Sequence, residues 1–282
     1  VFNGCQGMWA VAAVAADQDG LLGLDERVAD TLESWRGVAG KQDITVRQLL
    51  TMESGLAAND NKVRDAGTRD RYLAAVEAPM VALPGESFRF GPTAWYVFAA
   101  VLEAKLAESG EDALDYLKRR VLDPIGMEVY YWGRDRAEHL EIPTGGFLTA
   151  REWSKFGQLV LGQGRLGDRQ VIEPAKLAEC FRPSRHNPAS GMGFGLVSGL
   201  DATEEKAVRP GQTAPEAARE RQRAAALPQD IVFSSGHGNQ RLYVIPSEDL
   251  VLVRQGLPGS EFSDADFLRL VLGIDRPPAG GR

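Results

Sequence analysis

The chain has 282 residues, 44% hydrophobic and 25% charged, enough for one large or two modest domains with a buried core. A net charge of -7 disfavours a phosphate backbone as partner, so no nucleic acid is expected; the basic runs at Arg119-Arg120 and residues 219–223 read as solvated helix faces. No stretch is long and apolar enough to span a membrane, and the scattered cysteines (Cys5, Cys180) and histidines (His139, His186, His237) lack disulfide or metal spacing, so no metal or other cofactor is expected.

Residues 8–19 are alanine-rich and closed by Gly20, which predicts a buried helix. The run is too short for a membrane span and has no basic leader, so no signal peptide is visible and the cellular location stays open. The sequence starts at Val1 without an initiator methionine, and residues upstream of it are expected. A short helix follows near residues 27–32, then one over 44–52 with Thr45 as its cap. Residues 59–70 are polar and read as a surface loop or frayed helix. Pro84-Gly85 marks a turn, 93–108 a long apolar helix, and 111–121 a helix stopped by Asp123-Pro124. Thr149 stands three residues before Glu152 and caps a helix over 149–161; another spans 174–181.

The character then changes. Residues 191–196 are glycine-rich and extended, and 201–226 form a polar, alanine-rich insert. Residues 231–234, 241–246 and 250–255 alternate and are β-branched, which predicts strands, with Glu248-Asp249 as the last hairpin turn. A helix over 262–272 closes the chain, and the tail from Pro277 is expected to be disordered. Helices first and strands late imply two regions. One is a mainly helical part over 1–185, and the other is a sheet-containing part with its closing helix over 186–282.

Seven strings in this order are similar to the serine β-lactamase and penicillin-binding-protein-like family, in its class C-related branch of esterases and DD-peptidases. They are Asp19-Gly20-Leu21 with Leu24-Asp25-Glu26, Ile44-Thr45-Val46-Arg47-Gln48-Leu49-Leu50-Thr51 with Ser54-Gly55-Leu56, and Pro84-Gly85 with Phe88 and Trp95. Tyr116-Leu117 with Asp123-Pro124-Ile125-Gly126-Met127 comes next. It is followed by Gly145-Gly146 with Leu148-Thr149-Ala150-Arg151 and Phe156-Gly157, then residues 191–195, then Tyr243-Val244-Ile245-Pro246. The resemblance implies an α+β fold of the β-lactamase/transpeptidase type, a helical domain packed on an antiparallel sheet domain, with the family's N-terminal strands outside this sequence.

The family's chemistry uses a serine at a helix N-terminus, a lysine one turn later that takes its proton, a tyrosine from a second loop, and a Lys/His-Thr-Gly strand edge. Counted back from Gly20 by the family's spacing, the serine position is Asn3 and the lysine position Gln6. An amide is neither a useful nucleophile nor a base at neutral pH. The second motif reads Phe90-Gly91-Pro92, which keeps a ring and loses the hydroxyl. Ser235-Gly236-His237-Gly238-Asn239 resembles the third motif, with Asn239 in place of a glycine. The resemblance therefore implies catalytic positions at Asn3, Gln6, Phe90 and His237, three of them substituted, with Pro92, Gly238, Asn239 and Cys5 as substrate-binding positions.

The expected function is a catalytically impaired family member whose pocket binds a small carbonyl compound or a peptide end. Two alternatives stand beside it: an active hydrolase of esters or amides with displaced chemistry from Cys5 and His237, and a non-enzymatic protein that binds a partner through 201–226. Cys5 sits two places past the nucleophile position and reads as a small core residue. Ser54 reads as structural, Ser234 and Ser235 as hydroxyls that satisfy backbone groups, and Trp9, Trp95, Trp132 and Trp153 as core anchors. His139 and His186 read as surface residues.

Overall fold

The computed structural model describes residues 1–200, 225–256 and 262–274. The Ala, Val and Met run after Gln6 forms α1 (Gln6–Gln18), and its residues 6–16 are all buried. A helix apolar on every side has no face to give to solvent, so it becomes the axis on which the rest packs. Around it, in chain order, lie α2 (Val28–Thr31), α3 (Val46–Leu50), α4 (Asn61–Arg64), α5 (Arg71–Glu77), α6 (Thr93–Leu106) and α7 (Ala113–Leu117). Then come α8 (Ala150–Leu161), α9 (Pro174–Ala178) and the last described helix, α10 (Asp264–Leu272).

Two short ribbons interrupt the helices: β1 (Tyr131–Trp132) pairs with β2 (Gly146–Phe147), and β3 (Arg165–Leu166) with β4 (Arg169–Gln170). The main sheet is antiparallel, in the order β5 (Gly195–Leu196), β6 (Val232–Gly236), β7 (Gln240–Ile245), β8 (Leu250–Arg254). The alternation seen in the sequence places its two faces. On β7, Leu242 and Val244 join the main core around α1, while Tyr243 and Ile245 join a second cluster under α10. Each such burial contributes about 1.5–3 kcal/mol before the entropic cost of folding.

α8 packs directly on β7 and β8. Its approach depends on Gly157, where a Cβ would stand 2.5 Å from Val251 Cγ1 and 2.8 Å from Leu242 Cδ1. α10 covers the opposite face, held by a buried Arg241–Asp264 ion pair of 2.7 Å, and the Tyr243 hydroxyl also donates to Asp264.

The caps follow the sequence. Thr45 and Gln48 form a reciprocal capping box on α3, and the Glu152 N–H donates to Thr149 at the start of α8. Three expectations change. Residues 71–77, given no helix in the sequence reading, form α5, with Asp70 accepting from the Leu73 N–H. The expected helix over 111–121 is a short α7 that widens into a π turn at Lys118–Leu122 and tightens to a 3₁₀ turn at Asp123–Ile125. β1 and β2, two residues each, carry too little alternation to be read as strands. Residues 201–224 of the polar insert and the tail from Pro277 lie outside the described residues.

Candidate functional site

A 3₁₀ turn, Phe2–Cys5, leads into α1, and the Gln6 N–H donates to the Asn3 carbonyl. Asn3 is half-buried and Gln6 is 4% exposed. They stand one turn apart at the N-terminus of the central helix, the spacing that places two side chains on one flank. Gln6 Nε2 is buried and has no hydrogen-bond partner. Phe2 has a left-handed backbone, φ 48°, a conformation an aromatic residue adopts only at a cost of roughly 1–3 kcal/mol and one that clusters at functional sites.

The end of β6 lies against this turn. A Cβ on Gly236 would be 2.0 Å from the Val1 carbonyl oxygen and 3.2 Å from the Gly4 nitrogen, so the strand can come this close only without a side chain. One pair further back, a Cβ on Gly7 would be 2.6 Å from Ser234 Oγ. Ser234 is buried with no hydrogen-bond partner, whereas Ser235 is exposed. The expectation that Ser234 satisfies a backbone group therefore fails: strand alternation turns it inward onto the first turn of α1. His237 begins the β6–β7 turn, exposed, with its ring edge-to-face against Phe2 at 5.6 Å. Gly238 and Asn239 complete the turn. Asn239 is left-handed at φ 60°, and its carbonyl accepts from Arg254 Nη1 at 2.7 Å. The structure thus sets the end of β6 and His237 against the turn that carries Asn3 and leads to Gln6, and Gly238 and Asn239 follow in the β6–β7 turn.

Phe90 and Pro92 belong to a separate loop that leads into α6. Pro92 is the cap residue of that helix, Phe90 is partly exposed, and the Phe90 carbonyl accepts from Asn59 Nδ2 at 2.8 Å. Gly91 lies on the Ala58 carbonyl, where a Cβ would be 2.2 Å from the oxygen, and Thr93 Oγ1 donates to the same carbonyl at 2.8 Å.

Cys5 is sealed in the core. Its thiol donates to the Phe2 carbonyl at 2.8 Å, and burial pushes its pKa up to about 12, against the smaller lowering effect of backbone hydrogen bonding. A neutral, enclosed thiol neither attacks nor lines an open site, so the substrate-binding position inferred for Cys5 is corrected to a core position, set by its turn toward the β1–β2 ribbon at Gly146. Trp9, Trp95, Trp132 and Trp153 are all buried, as expected of core anchors. Ser54 is buried too, with its Oγ accepting from the Leu56 N–H.

One grouping was invisible to sequence spacing. His139 Nδ1 lies 3.1 Å from Asp70 Oδ1 and 3.9 Å from Asp135 Oδ2, and its ring stacks on Tyr72. These carboxylates organise backbone: Asp135 accepts from the N–H groups of Arg71, Ala137 and His139, and Asp70 caps α5. Only the fold brings residues 70 and 139 together. An open cavity of about 540 Å³ lies at the far end of α1, lined by Asp17, Asp25, Glu26, Arg47, Lys176 and Glu179 among others. Its cations are paired, Lys176 with Asp17 and Arg47 with Asp25 and Glu179.

A family model described as Beta-lactamase matches residues 7–271, starting one residue past Gln6. No curated protein sequence matches the chain. Among solved structures, the fold is similar to a family VIII carboxylesterase, with a TM-score of 0.67 and 17% identity over 96% of this chain and 81% of that one. A class C β-lactamase from Rhodobacter sphaeroides gives a TM-score of 0.64 at 17% identity, over 97% and 85% of the two chains. A penicillin-binding protein homologue from Caulobacter crescentus gives 0.62 at 16%, over 89% and 75%. Identities this low speak to the fold alone. Since the family model spans nearly the whole sequence and the sheet and helices fall as that fold requires, the chain belongs to the Beta-lactamase family and has its serine-hydrolase fold.

Proposed function

We propose that this family member does not carry out acyl transfer and that it keeps a ligand site where its relatives do chemistry. One observation carries the reading: the turn that leads into the buried helix and the helix's first residue carry amides, Asn3 and Gln6, at the positions where acyl transfer in the family uses a hydroxyl and an amine. An amide nitrogen is neither basic nor nucleophilic at neutral pH, and loss of both groups of such a pair costs several orders of magnitude in rate. Phe90 adds to this, because a phenyl ring cannot relay a proton. His237, Gly238, Asn239 and Pro92 complete the site in this reading.

What remains can bind. Amide side chains at the floor donate and accept hydrogen bonds, the helix N-terminus favours electron-rich atoms, and the β6–β7 turn stands beside both. A small carbonyl compound or a peptide end suits these groups. The names of the structural neighbours, a carboxylesterase and a penicillin-binding protein homologue, point to the same class of compound. The test is the triple substitution Asn3→Ser, Gln6→Lys, Phe90→Tyr, assayed on p-nitrophenyl esters. The reading expects an inert parent and a triple variant that hydrolyses the ester. A parent that turns over the ester, with no gain in the variant, overturns it.

A further inference from the structure

The fold gathers Asp70, Asp135 and His139. Asp135 and His139 face each other across a turn closed by the Arg134–Leu140 bridge, with the Asp135 N–H donating to the His139 carbonyl at 2.9 Å. Asp70 comes to them at the start of α5, where the Ala137 N–H donates to the Arg69 carbonyl at 3.0 Å. One nitrogen or oxygen atom from each of the three side chains lies within 4.8 Å of the other two.

Hydrogen bonding accounts for only part of this arrangement. Asp135 Oδ2 accepts from the Arg71 N–H, Asp135 Oδ1 from Ala137 and His139, and Asp70 Oδ1 from Leu73. These bonds fix the two carboxylates without neutralising them. A carboxylate offers about four lone-pair sites, so both keep capacity beyond these bonds. His139 Nδ1 reaches Asp70 at 3.1 Å, but Asp135 at 3.9 Å is too far for a hydrogen bond. The Asp135 side chain is only 2% exposed, and among the described residues no lysine or arginine forms an ion pair with either carboxylate. Arg71, Arg134 and Arg136 adjoin them in sequence and are directed elsewhere. Arg71 goes to Glu141 and the Tyr96 hydroxyl, Arg134 to Asp112, and Arg136 to the Gly67 carbonyl. A carboxylate buried without a paired cation is costly.

A divalent cation would supply the missing charge. A tetrahedral ion with bonds of about 2.1 Å holds its donors about 3.4 Å apart, and the separations of 3.1 and 3.9 Å straddle that value. One imidazole and two carboxylates form a mixed nitrogen and oxygen set, which suits zinc and its neighbours better than calcium, an ion that takes six to eight oxygens. The ring is held in place by stacking on the buried Tyr72, centroids 4.4 Å apart and planes at 9°. The Asp70 and His139 side chains are about one-third exposed, so solvent reaches the group and a fourth position stays open to water.

We infer that Asp70, Asp135 and His139 form a binding site for a divalent transition-metal cation. The probe is zinc chloride, titrated by calorimetry into the untagged, chelator-treated full chain, with bound metal counted by native mass spectrometry. One equivalent is expected. Asp70→Asn removes a charge and keeps the α5 cap, since asparagine caps as well as aspartate; His139→Phe removes the nitrogen and keeps a ring on Tyr72. Each should weaken zinc binding at least about tenfold, because losing even a group that merely orients a ligand costs about 10- to 100-fold. His186→Gln, a control for exposed histidines, should bind zinc like the parent. Zinc should raise the melting temperature of the parent and of His186→Gln but not of the other two variants. No saturable zinc binding, affinity unchanged in both Asp70→Asn and His139→Phe, or tighter binding of calcium than of zinc overturns the inference.

Discussion

The rings of Phe2 and His237 meet edge to face, centroids 5.6 Å apart and planes at 75°, and this contact joins the turn before α1 to the turn between β6 and β7. Beneath it, Gly236 passes the Val1 carbonyl and the Gly4 nitrogen with no room for a methyl group. The neighbourhood of Asn3 is thus held by backbone approach and by one aromatic contact.

Gly236→Ala is expected to force the strand and the turn apart, because the blocking atoms are backbone and cannot rotate away. The loss of stability should be about 1–3 kcal/mol, the usual cost of overpacking, read as a lower urea midpoint at unchanged slope. An unchanged midpoint would mean that β6 does not approach the Phe2–Cys5 turn as closely as described.

Gly157→Ala probes the same face of the sheet further along, where α8 packs on β7 and β8. Here the blocking atoms are side-chain methyl groups of Val251 and Leu242, so part of the strain can relax. The expected loss is about 1–2 kcal/mol, with the added methyl offsetting some of the strain through better helix propensity. Thermal unfolding of the two variants side by side should rank Gly236→Ala as the more damaging.

Both cysteines are buried and free, and burial raises both thiol pKa values, that of Cys5 to about 12. At pH 8 in native buffer, iodoacetamide is expected to label neither; in strong urea it should label both within minutes. Selective modification of native Cys5, seen by peptide mass spectrometry, would contradict its enclosed position.

Asp19 supplies a pH dependence. Burial opposes its ionisation, but hydrogen bonds from Arg120 and Tyr116 outweigh this and hold the carboxyl below its usual range. A depressed folded pKa gives stability that is present above the unfolded value of about 3.9 and lost as pH falls through the folded value. Asp19→Asn should therefore lower stability by about 1 kcal/mol at pH 7, a figure reduced for the partial exposure of the pair. The gap between parent and variant should close as pH falls below about 4. A gap that is constant with pH would assign the loss to packing.

Much of this arrangement could be read before the coordinates, and the limits have physical causes. The α1 run, the Thr45 and Thr149 caps and the β6–β8 alternation are local signals, encoded within a few residues of where they act. The α5 helix was missed because its cap, Asp70, sits inside a polar run that looks like loop. The side of β6 to which Ser234 turns depends on register, which pairing with β7 fixes and residue types alone do not. The His139–Asp70 and Tyr131–Phe147 contacts are tertiary: Tyr131 and Phe147 become neighbours only through a ribbon of two residues per strand. That Asn3 and Gln6 lie one turn apart at the start of α1 follows from a local helical run, whereas their match to the family's serine and lysine is the reading proposed above.

The most direct measurement is the intact mass of the native protein after incubation with a fluorophosphonate, which marks any activated hydroxyl. With amides at residues 3 and 6, no adduct is expected on the parent chain, whereas the Asn3→Ser, Gln6→Lys, Phe90→Tyr variant should gain one adduct, mapped to residue 3. A stoichiometric adduct on any serine of the unmodified chain would show a working nucleophile and contradict the account.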